Sequence, residues 1–107
     1  MQDGESVGSM ATVINGGSVK SISSASAVLA AANDNRRSLF VQNLSTTAML
    51  TVVKGQTAVS KAGYNLCPAA SATSPGGNVT IDDYTGAVNG IMSGADATSG
   101  NVAVVET

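Results

Sequence analysis

The groups able to do chemistry in this chain are seven carboxylates, two adjacent arginines and one thiol, because histidine is absent. Without an imidazole the usual general base is missing. So are the usual activator of a Ser or Cys nucleophile and the commonest nitrogen ligand of zinc. The single cysteine, Cys67, can form neither an internal disulfide nor a thiolate cluster. In its apolar, strand-like setting it reads as a small buried hydrophobe, with no electropositive neighbour to activate it. The carboxylates are Asp3, Glu5, Asp34, Asp82, Asp83, Asp96 and Glu106. Glycoside hydrolysis needs two of them facing each other across a cleft, yet only Asp82 and Asp83 lie together. Neighbours on a strand point to opposite faces, and at a corner they serve to cap backbone N–H groups. Their spacing fits no calcium loop of the EF-hand type. Gly16-Gly17 and Gly76-Gly77 are not followed by the Lys-Ser/Thr pair of a phosphate loop and read as turns. The expectation is a protein that is not an enzyme, with no catalytic residue, metal site or cofactor.

One charged group reads as structural. Arg36 and Arg37 open the clearest strand of the chain, and arginine takes a carboxylate in a two-pronged grip. The pair reads either as a solvated strand start or as a structural clamp, in which one of the two lies on the sheet and pairs with Asp82 or Asp83. The basic residues are otherwise scattered, as Lys20, Lys54 and Lys61, and there are two Tyr, one Phe and no Trp. A nucleic-acid binder needs a basic stripe and stacking aromatics, so no nucleic-acid partner is expected. No apolar run approaches the roughly 18 residues of a membrane span. Met1-Gln2-Asp3-Gly4-Glu5-Ser6 lacks the basic start and apolar stretch of a signal peptide. A soluble protein assembled in a cytoplasm is expected, without a membrane partner.

The elements that must position these groups are short strands. The 107 residues include 16 Ala, 14 Ser, 12 Gly and 10 Thr, against 13 Val, 5 Leu, 4 Ile and one Phe. Such a mix gives a thin core, and with a net charge of −2 the chain lacks the charge excess of a disordered one. Residues 1–12 read as an extended arm and 13–107 as one domain. Met10–Ile14 and Val19–Ser23 flank Asn15-Gly16, a strong hairpin signal. Ala27–Ala30 follows. The stretch Ser26–Ala32 would also suit a helical turn, but it is short and lies among β runs. Arg37–Asn43 places Leu39, Val41 and Asn43 on one side and Ser38, Phe40 and Gln42 on the other. That distribution predicts a central strand covered on both faces. Met49–Lys54, Ala58–Ser60, Tyr64–Cys67 (ended by Pro68), Asn78–Ile81, Gly86–Met92 and Asn101–Glu106 complete the set. Ser93–Gly100 reads as a hairpin loop between the last two, and Ala69–Gly77 as a low-complexity surface loop. About eight short antiparallel strands at this spacing predict an all-β domain, a small β-sandwich or jelly-roll-like barrel.

Two stretches carry a resemblance. Val28-Leu29-Ala30-Ala31-Ala32-Asn33-Asp34-Asn35-Arg36-Arg37-Ser38-Leu39-Phe40-Val41-Gln42-Asn43 resembles a segment of small tailed-phage virion proteins. In that segment an Ala-rich strand runs through an Asn/Asp turn and Arg into a strand ending Gln-Asn. Asp82-Asp83-Tyr84-Thr85-Gly86-Ala87-Val88 is similar to the second half of the same pattern, and the likeness spans roughly residues 19–106. It implies a virion accessory located on the particle: a capsid decoration (cement) protein binding the major capsid protein, or alternatively a head-fibre, tail or receptor-contacting piece. A cement protein would clamp shell subunits through many weak, repeated contacts as a homo-oligomer, trimer or dimer, on local symmetry axes. The expected contact segments lie outside the likeness. They are Gln2, Asp3, Glu5, Ser6, Val7 and Met10 of the arm, and Ala70, Ser71, Thr73 and Ser74 of the loop.

Overall fold

The structure, a computed structural model, describes residues 17–71, 74, 76–94 and 100–107. Eight strands run in chain order: β1 (Gly17–Lys20), β2 (Ala27–Ala30), β3 (Ser38–Asn43), β4 (Leu50–Lys54), β5 (Tyr64–Leu66), β6 (Asn78–Asp82), β7 (Val88–Met92) and β8 (Val102–Glu106). All pairings are antiparallel. One sheet has the order β1-β8-β3-β6 and the other β2-β7-β4-β5. The pairs β1/β8, β2/β7, β3/β6 and β4/β5 are those of one long hairpin, and β3/β8 and β4/β7 are the pairs made when that hairpin wraps onto itself. This is the eight-stranded jelly roll. The fold is all-β, as its patterning predicts.

Alternation along each strand builds the core. Leu39 and Val41 of β3, Leu50 and Val52 of β4, Val88 and Met92 of β7, and Val102 of β8 are buried between the sheets with Leu29 of β2. Each such side chain contributes about 1.5–3 kcal/mol when fully buried. The cluster contains no aromatic; Tyr84 packs at its rim.

Several elements differ from expectation. β3 is central, between β8 and β6, but only its inner face is buried; Ser38, Phe40 and Gln42 are half-buried. Ala58–Ser60 is not a strand. After β4 the chain crosses the outer face of its own sheet: Asn89 Nδ2 donates to Gln56 O, Ala58 N to Ser26 Oγ (2.8 Å), and Lys61 N to Thr51 Oγ1 (2.9 Å). Thr51, on that outer face, is therefore buried, and Lys61 takes a left-handed φ of 69° to turn the chain back into β5. The segment after β7 is not a hairpin loop, because β7 and β8 belong to different sheets. Asn101 fixes that crossing by pairing with both backbone groups of Ile22 (2.8 Å each). Residues 1–16, with the arm and the expected Met10–Ile14 strand, lie outside the described residues.

Candidate functional site

The segments 28–43 and 82–88 meet in space at Arg36. An Asx turn opens the β2–β3 corner: Asn35 N donates to Asn33 Oδ1 (3.0 Å), and Arg36 N to Asn33 O (3.1 Å). The turn aims Arg36 inward, where its side chain is 0% exposed. Its Nε donates to Tyr84 O (3.2 Å), one terminal nitrogen to Ala31 O (3.0 Å) and Glu106 Oε2 (2.8 Å), and the other to Gly86 O. One guanidinium thus ties the ends of β2 and β8 to the β6–β7 corner. Tyr84 lies beside it, its hydroxyl donating to Ala87 O (3.3 Å), with Lys54 Nζ 5.5 Å from the ring centroid. The carboxylate that Arg36 finds is Glu106, not Asp82 or Asp83. Those two are exposed, as is Arg37. Arg37 meets Asp83 through the backbone, its carbonyl accepting from Asp83 N (2.9 Å).

The opposite end is held by Asn43. Its Nδ2 donates to the carbonyls of Ala48 (2.9 Å), Leu66 (3.0 Å) and Cys67 (3.2 Å), while Oδ1 accepts from Ser45 N (2.9 Å). Gly76 closes against it, N to Asn43 O (3.0 Å). A Cβ on Gly76 would stand 2.8 Å from both Asn43 O and Ala69 N, so the approach admits only glycine. The loop expected to make contacts is thus fixed at its base. Beyond the base, Ala70 N donates to Ser74 O and Ser74 N to Ser71 O; Ala70, Ser71 and Ser74 are exposed, and Thr73 lies outside the described residues. Cys67 is exposed rather than buried, because Leu66 takes the inward position at the end of β5.

The two outer faces are unlike. That of the β2-β7-β4-β5 sheet is crossed by residues 55–63, which bond to Ser26, Thr51 and Asn89 and leave Val28 of β2 56% exposed. On the β1-β8-β3-β6 sheet, the rows Val105–Phe40–Thr80 and Val19–Ala103–Gln42 lie side by side, and no described residue crosses them. Val19 is 63% exposed; Phe40, Ala103 and Val105 are half-buried. The face is flat, apolar along its centre and flanked by Gln42, Asn78, Thr80 and Asp82.

A cleft of about 380 Å³ opens where the sheets part between β1 and β2, lined by Ser18, Lys20, Val28–Ala31, Val104 and Glu106. Among the described residues no three His, Cys, Asp or Glu side chains gather to hold a metal ion.

Comparison with known proteins finds no matching family model, no matching curated protein and no matching solved structure. The fold and the geometry of these surfaces are therefore the basis for a functional reading.

Proposed function

We propose that the protein is a structural binding module of a virus particle, a decoration (cement) protein that lays its β1-β8-β3-β6 sheet on the major capsid protein and strengthens the junctions between shell subunits. The observation that carries this reading is the asymmetry of the outer faces: one is crossed by the chain's own loop, and the other offers Phe40, Val105, Ala103 and Val19 in adjacent rows. Apolar centres with polar rims characterise protein-binding patches. The jelly roll recurs among viral shell proteins and also among lectins, so the fold alone does not choose between them. The face and the resemblance of the sequence to small tailed-phage virion proteins favour the shell. Contacts repeated over a closed shell act together even when each is weak, which suits a module with a thin core.

The head-fibre or receptor-contacting alternative needs exposed aromatics for a glycan. Tyr84 is committed to packing beside Arg36, leaving Tyr64 on the edge strand β5 and the half-buried Phe40 of the open face, which are not neighbours on one surface. Stoichiometry in purified particles tests the proposal. Copies on the scale of the shell subunits support decoration; a few copies per particle, at a vertex or tail, overturn it. Deleting residues 2–10 tests the arm separately, with loss of particle binding and an unchanged melt as the expected result.

A further inference from the structure

The cleft between β1 and β2 is built differently from the flat face, and the geometry points to a distinct occupant: an extended segment of the partner protein, carrying a carboxylate side chain opposite Lys20 and small aliphatic side chains on a floor of Leu29 and Val104. This rests on the reading that the protein works by binding another chain, and it adds a second contact to the sheet face.

Charge sets the requirement. Ser18 and Lys20 stand in register with Val104 and Val102, both buried core residues, so they lie on the core-facing side of β1. Glu106, also at the cleft, has its charge taken up by Arg36 at 2.8 Å. Lys20 is exposed beside the cleft and has no carboxylate partner among the described residues, so its ammonium is available to a carboxylate of an incoming chain. An inward charge on an edge strand blocks indiscriminate strand pairing. It also makes the edge selective. A segment placing an apolar or basic residue there strips water from an ammonium without replacing it, whereas Asp or Glu supplies the counter-charge.

Backbone geometry favours a strand over a free small acid. Among the described residues β1 pairs with β8 and no other strand, and an edge strand offers its remaining N–H and C=O groups as a template for an incoming chain. Across the cleft, β2 breaks register between Val28 and Ala30, and such bulges discourage pairing. The added strand therefore belongs on β1. The four residues of β1 span about 13 Å at roughly 3.3 Å each, room for a segment of about four or five residues.

The test uses the full chain, isotopically labelled, titrated with two synthetic peptides, acetyl-Thr-Val-Glu-Val-Thr-amide and its Lys counterpart, and followed by NMR. The Glu peptide is expected to shift the amides of Ser18, Lys20, Ala31 and Val104. Its affinity should fall at least about tenfold, or about 1.4 kcal/mol, in Lys20→Glu and persist in Lys20→Arg, with the Lys peptide showing the reverse preference for Lys20→Glu. Absence of binding to the wild-type chain, shifts confined to other strands, or equal affinity for Lys20→Glu overturns the inference. A concentration-dependent dimer seen by sedimentation equilibrium and lost in Lys20→Glu places a second copy in the cleft and also overturns it. Phe40→Lys separates the two readings, since it should remove particle binding and leave peptide binding intact. Peptide binding without particle binding by the wild type defeats the shell proposal alone; particle binding without peptide binding defeats the cleft alone.

Discussion

Arg36 holds one end of the sandwich together. Its four bonds reach three separate segments, and its charge is matched inside the protein. Removing one partner of a buried ion pair strands the other and costs about 3–5 kcal/mol. Against a total stability of roughly 5–15 kcal/mol for a domain, Arg36→Met is expected to lower the urea midpoint sharply or prevent folding. Arg37→Ala, at an exposed position, is expected to stay within about 0.5 kcal/mol of wild type. Asn43→Leu would orphan Ser45 N–H and take the amide donor from Ala48 O and Leu66 O, while Cys67 O keeps Gly77 N; at roughly 1–3 kcal/mol for each group left dry, urea denaturation should show a loss of several kcal/mol. These roles were partly legible. Leu39, Val41 and Asn43 share a face by alternation, as do Val102, Val104 and Glu106, and a polar residue on a core face near a strand end is the signal of such a bolt. Arg36 escaped that logic because it precedes β3, in a turn where period-two alternation does not apply. Its carboxylate lies 70 residues away in sequence, brought close by the β3/β8 pairing.

The elements themselves followed from apolar alternation and turn residues, so the strands of the described region stand near their expected places. Connectivity did not follow from the same signals. Six of the seven links between consecutive strands cross between sheets, and only β4–β5 joins neighbours. A Gly- and Ser-rich link reads alike whether it closes a hairpin or crosses a sandwich. Ala58–Ser60 resembled a strand because Val59 is β-branched and its neighbours are small. Its backbone is satisfied instead by Ser26 and a Val59–Ala62 turn, which makes it part of the crossing over the sheet. Asn33, Arg36, Tyr84 and Gly86 form the bolt at one end of the sandwich, and Asn43 the bolt at the other. Gly76→Ala tests that packing: with backbone atoms on both sides of the new methyl, a loss of about 1–3 kcal/mol is expected by thermal or urea unfolding, typical of overpacking.

For the whole molecule, the two faces of the sandwich divide the labour. One face is crossed by the chain's own residues 55–63, over a core of Val, Leu and Ile with Met92 and Ala48. The other keeps a half-exposed apolar centre that a partner would bury. A thin core explains why stability depends on polar bolts at the ends, and the uncovered face explains how binding would add to it, since a partner that binds only the folded state stabilises it. The most direct measurement is co-sedimentation of wild type and Phe40→Lys with purified shells lacking the protein, at equal thermal stability of the two. Saturable binding by the wild type, lost in Phe40→Lys and retained in Arg37→Ala, is expected. Equal shell binding by wild type and Phe40→Lys would contradict the role proposed for this face.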